Sequence, residues 1–113
     1  MSRSKPAPTF QRHIEFLGEQ DGVPERELKG GLSRLLNADP AIMRAYLAIV
    51  RYGDSGHSIA LCLASKRSTN LDLANRIGEL FREMFKSDEC LDILWVSKVQ
   101  EQVLANVCKP FYG

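Results

Sequence analysis

A chain of 113 residues is the size of one domain, long enough to bury about two thirds of its unfolded surface and too short for two such units. Its 44% apolar and 26% charged residues are ordinary globular values, and a formal net charge of +1 gives no overall field to draw in nucleic acid or an anionic membrane. Three cysteines without C-x-x-C spacing argue against a disulfide framework, and the longest apolar run, at 45–50, falls far short of the ~18–20 residues that span a bilayer; a reducing cytoplasm is the expected home.

Residues 1–9 include Pro6 and Pro8, lack the apolar core of a secretory signal and read as a disordered tail; residues 10–113 read as one domain. The first strand is expected over 10–17, where Ile14 and Phe16 alternate with His13 and Glu15, before Gly18 releases the chain into a turn. Pro24, Glu25 and Glu27 suit the start of a helix that runs to about Asn37, with Leu28, Leu32, Leu35 and Leu36 as its inner stripe. The pair Gly30-Gly31 is costly inside a helix, so a close approach of this helix to the sheet is expected in compensation.

From 42 to 51 a β-rich run places Ala45, Leu47 and Ile49 on one face and Tyr46, Ala48 and Val50 on the other. Both faces are apolar, as in a central strand. Turn formers at 52–57 lead into a second alternation at Ile59, Leu61 and Leu63, which predicts a hairpin. Thr69 or Asn70 caps the next helix, whose apolar side holds Leu73, Ala74, Ile77, Leu80, Phe81, Met84 and Phe85. A short strand at 91–96 follows, and Ser97 with Gln100 forms a capping box that opens a last helix with Val99, Val103 and Val107 on its inner side. The order β-α-β-β-α-β-α, with helices joining strands one to two and three to four by right-handed crossovers, predicts an α+β sandwich. In this arrangement a ferredoxin-like, four-stranded antiparallel sheet carries two helices on one face and an extra C-terminal helix.

The spacing of Phe16-Leu17-Gly18-Glu19, Pro24, Leu28 and Leu32, then Ala45-Tyr46-Leu47 at the start of a long strand, and finally Pro110-Phe111-Tyr112, resembles the C-terminal domain of the SseB family, named for enhanced serine sensitivity. The likeness covers nearly the whole chain after the tail. Members often carry this unit behind another domain. The resemblance implies a bacterial cytoplasmic protein of undefined molecular activity and supplies no catalytic residues to transfer to these positions.

Several constellations have the residue types for chemistry. Cys62, His57 and Asp54 include those of a thiol triad, but five residues separate Cys62 from His57 on one strand and send their side chains to opposite faces. The three cysteines, Cys62, Cys90 and Cys108, read as packing residues. Two histidines, His13 and His57, without Cys or carboxylate partners at ligand spacing give no expected metal, and no cofactor is implied. Lys66, Arg67 and Thr69 lie between a strand end and a helix N-terminus, where free N–H groups favour an anion, although the stretch lacks the glycines of a phosphate cradle. The four-stranded topology is also that of the RNA-recognition platform, which stacks bases on strand aromatics. The third strand here has none, so nucleic acid is not an expected partner.

Two function classes remain. One is a non-enzymatic module for self-association or for binding another bacterial protein, with Tyr46, Trp95, Phe111 and Tyr112 as aromatic anchors. The alternative is a regulatory domain that senses a small ligand, an amino acid or other anion, at the loop from Gly18 to Gly22, by analogy with ligand-binding domains of the same element order. No catalytic residues are assigned, and no membrane partner is expected.

Overall fold

The computed structural model describes residues 14–53, 56–67, 69–85 and 91–113. The tail, the start of the first strand at 10–13, Asp54 and Cys90 lie outside them. Seven elements follow in the expected order: β1 (Ile14–Glu19), α1 (Val23–Leu36), β2 (Ile42–Tyr52), β3 (His57–Ser65), α2 (Leu71–Phe85), β4 (Asp92–Trp95) and α3 (Lys98–Ala105). The α+β class holds, and the hairpin joins β2 to β3 with Arg51 opposite His57. Gly53 begins its turn at φ +55°, in the left-handed region.

The sheet order departs from expectation. It is β1-β2-β3-β4, with β1/β2 and β2/β3 antiparallel but β3/β4 parallel, so the sheet is mixed and not the antiparallel ferredoxin-like one. Strand lengths explain how a helix can join antiparallel neighbours. β1 ends with Glu19 opposite Ala48, whereas β2 begins six residues away at Ile42, an offset of about 20 Å at ~3.3 Å per residue. The 14 residues of α1 rise about 21 Å, which spans that offset and lets β2 return beside β1 without crossing another strand. β4 lies parallel to β3 because α2 supplies the crossover that parallel neighbours need. Gly18 does not end β1: it remains in the strand opposite Ile49, after a bulge at Leu17.

β1 therefore leaves the first half of β2 without a strand on that side, and the C-terminal segment fills the gap. Phe111 N–H donates to Ala45 O at 2.9 Å and Ala45 N–H donates to Tyr112 O at 3.1 Å. Gly113 follows at φ +95° with its α-carbon so close to β2 that a Cβ would lie 2.0 Å from Met43 O.

The two faces of β2 and β3 fill two cores. Ala45, Leu47, Leu61 and Leu63 pack with Leu28, Leu32 and Leu36 of α1 and with Leu73, Ile77 and Phe81 of α2. Phe81 and Phe85 add a tilted ring pair at 4.8 Å. On the opposite face Phe16, Tyr46, Ala48, Val50, Ala60 and Cys62 pack with Leu104 and Cys108. Helices thus lie on both faces, in three layers.

Two local expectations change with this packing. The close approach at Gly31 is to α2, where a Cβ would meet Leu80 Cδ2 at 3.0 Å; it is not to the sheet. Gly30 faces solvent with nothing within 4 Å of a Cβ. Gly30→Ala is therefore expected to stabilise the domain by about 0.5–1 kcal/mol through helix propensity alone. Gly31→Val, whose branched side chain crowds Leu80 of α2, is expected to destabilise it; urea unfolding of both variants checks the contrast. The second change concerns α3. The capping box forms as read, with Gln100 N–H on Ser97 Oγ at 3.1 Å and Ser97 N–H on Gln100 Oε1 at 2.9 Å. Its inner side, however, is Glu101, Leu104 and Cys108, whereas Val99, Val103 and Val107 face water at 70%, 52% and 41% exposure.

Candidate functional site

Where α3 crosses the sheet, Arg44, Tyr46, Lys98, Glu101, Gln102 and Ala105 line a shallow pocket. Alternation along β2 would send Arg44 and Tyr46 to the same face, the one α3 covers, and Glu101 points down at them from the first turn of α3. Arg44 grips the carboxylate with both arms of its guanidinium, Nη2 donating to Oε1 at 3.0 Å and Nε to Oε2. Tyr46 donates its hydroxyl to Oε2 at 2.7 Å. The guanidinium first, then the phenol, hold the Glu101 carboxyl below its usual range against the opposing effect of burial. Desolvation, and then the hydrogen bond to Glu101, push the Tyr46 phenol up to about 12. At neutral pH Glu101 is thus a saturated anion and Tyr46 a held donor. This arrangement braces α3 to the sheet and leaves neither group free to move a proton.

The two candidate ligand loops are not brought together. Gln20 N–H bonds Leu47 O on β2 and Lys66 N–H bonds Ala41 O just before β2, six residues apart or about 20 Å. The bonds of Phe111 and Tyr112 to Ala45 lie between them. In the first loop Gly22 is the N-cap of α1 with extended backbone, and the nearby charges are bound internally. Lys29, whose side chain is only 13% exposed, reaches both Glu19 at 3.1 Å and Asp21 at 3.3 Å, and Arg26 meets Asp21 at 3.3 Å. The Arg26 hydrogen bond, then Lys29, keep the Asp21 carboxyl low.

At the second loop Asn70, not Thr69, caps α2 by accepting from Leu73 N–H at 3.1 Å. Its amide donates to Asp39 at 3.0 Å, and Asp39 also accepts from Ala41 N–H at 3.0 Å. These two bonds, with the nearby charge of Arg67, hold the Asp39 carboxyl low. A carboxylate of the chain itself therefore stands beside the start of α2, where an external anion was expected. Lys66, Arg67 and Thr69 are exposed around it.

The four aromatics considered as anchors are all engaged. Tyr46 is buried at 3% exposure, and Trp95, Phe111 and Tyr112 are half-buried against the core beneath α1 and α2. Cys62 is fully buried, its thiol pushed up to about 12 by desolvation, and His57 is exposed at the start of β3. Cys108 is buried as well, its thiol raised to about 11 by desolvation and then by Glu19. Among the described residues, no three His, Cys, Asp or Glu side chains are placed to hold a metal, and no helix is long and apolar enough to cross a membrane.

Sequence reasoning missed the Arg44–Tyr46–Glu101 brace and the outward valines. A signal for the first was present in the i, i+2 spacing of Arg44 and Tyr46 on a strand otherwise apolar on both faces as far as Val50. Fold and site together define a small α+β domain on a mixed sheet, with helices on both faces and an ion-pair brace joining the last helix to the central strand. The chain belongs to the SseB family by its C-terminal domain: the family model described as the SseB protein C-terminal domain matches residues 17–113. No match was found among curated proteins or solved structures.

Proposed function

We propose that this domain is a non-enzymatic protein-interaction module of a bacterial cytoplasmic protein, acting by association with itself or another protein chain. The observation that carries this reading is the contrast between its committed polar groups and its outward apolar ones. Glu101, Asp39, Lys29 and Tyr46 are bound to partners within the chain, while Val99 and Val103 of α3, and Val107 just beyond it, stand in water. An apolar row on a surface helix marks a contact site more readily than a catalytic one. Free thiols at the buried Cys62 and Cys108 support a reducing compartment.

A thermal-shift panel of amino acids and phosphorylated metabolites, run beside sedimentation of the same sample, tests the reading. A flat panel with concentration-dependent mass is the expected result. A ligand present at 100 times its Kd would add about 2.7 kcal/mol, a shift on the order of 10 °C, and would establish the small-ligand sensor instead.

A further inference from the structure

We propose that Arg44 and Lys98 form a binding site for a carboxylate, supplied by an Asp or Glu side chain of another protein chain. That the carboxylate comes from a protein rests on the interaction reading above; the site itself does not.

The Arg44 guanidinium has two donor edges, and Glu101 takes only one. Nε and Nη2 donate to the two oxygens of Glu101, which leaves the edge formed by Nη1 and the second N–H of Nη2 without a partner among the described residues. That edge has the fork geometry that grips a second carboxylate through two parallel hydrogen bonds. The Arg44 side chain is 41% exposed and lines an open concavity of about 330 Å³. Lys98 lines the same concavity, exposed and without an ion-pair partner among the described residues. It is also the first residue of α3, where the positive end of the helix dipole disfavours a cation, so helix formation gives no reason for a lysine there. Gln102, one turn on, adds an amide donor.

Charge sets the ligand class. Arg44 and Lys98 against Glu101 leave one net positive charge, which a monoanion neutralises and a phosphate dianion exceeds beside a fixed carboxylate. The pocket between α1 and α2 lacks this imbalance, because Glu79 and Glu83 stand there with Arg34 and Arg76. The valines favour a protein as the source. Val99, three residues before Gln102, is its neighbour on the helix surface, and Val103 lies one turn beyond Val99; they are 70% and 52% exposed. A chain whose carboxylate reaches Arg44 lays an apolar neighbour on them, whereas a free metabolite covers only the pocket.

An NMR titration of the full chain with N-acetylglutamic acid α-amide, a blocked glutamate, at constant ionic strength tests the site. A single exposed charge-assisted contact is expected to give saturable shifts at the Arg44 Nε–H and at the Lys98 and Gln102 amides, with a Kd of about 1–10 mM. The blocked glutamine of the same shape is expected to give none. Lys98→Gln, which leaves the Arg44–Tyr46–Glu101 brace in place, is expected to keep the fold and to weaken binding at least about threefold. Absence of saturable shifts, or equal shifts with the blocked glutamine, overturns the site, and sedimentation then decides the interaction reading separately. Wild-type affinity in Lys98→Gln overturns the pairing of the two cations. Inorganic phosphate that binds more tightly than the blocked glutamate overturns the carboxylate class. Succinate that binds at least about tenfold more tightly overturns the protein source and assigns the site to a free dicarboxylate.

Discussion

Leu104→Ala is expected to cost about 3 kcal/mol and to lower the melting temperature by roughly 10 °C or more, within the ~2–5 kcal/mol range of buried leucine truncations. Leu104 is fully buried and is the apolar anchor of α3 on the sheet, packed with Tyr46, Ala48 and Cys62. Loss of its side chain leaves a cavity between two rigid layers that cannot close without moving the helix. The same truncation at Val103, 52% exposed, is expected to change stability by no more than about 0.5 kcal/mol. Chemical unfolding of the pair measures the orientation of α3 directly: equal losses would mean that the valine row faces inward after all.

Glu101→Ala is expected to destabilise the domain by about 2 kcal/mol, because the Arg44 guanidinium and the Tyr46 hydroxyl lose a shared charged acceptor. The Arg44 side chain is 41% exposed and recovers some hydration, which keeps the loss toward the low end for a charged cluster. Glu101→Gln separates charge from shape. The folded-state carboxyl is held below its ordinary value of 4.5, so the unfolded chain binds the proton more readily. The contribution is complete above that unfolded value and declines as pH falls through it toward the lower folded one. Thermal melts between neutral pH and about pH 3 should therefore show a shallower acid loss in Glu101→Gln than in wild type. An identical acid profile would show that the brace carries no ionic stabilisation.

These two residues also show where the sequence stops being legible. Glu101 lies on the same side of α3 as Leu104 and Cys108, and a carboxylate in that row makes it look like the outer face when the helix is read alone. Val99, Val103 and Val107 make the better local stripe. The order is reversed by partners 55 and 57 residues away, Tyr46 and Arg44, which satisfy the carboxylate well enough for its side to turn inward. No local period records such a partner.

The sheet teaches the same lesson at larger scale. Strand identities, the hairpin, the caps at Ser97 and Asn70 and the leucine stripe of α1 follow from period, turn chemistry and capping, all written within a few residues. So does the central place of β2, whose two apolar faces require cover on both sides. Whether β4 lies beside β3 or on the other side of β1 is not written locally, since the crossover through α2 permits either. The tertiary structure decides it by burial: β3 is apolar on both faces at Ala60–Ala64 and needs neighbours on both edges, while β1, with Glu15 and Glu19, and β4, with Asp92, are polar enough to lie at the edges. By itself the sequence determined the elements and their inner residues up to α2; only the assembled fold decided the strand order and the face of α3, because both depend on residues far apart in the chain satisfying one another.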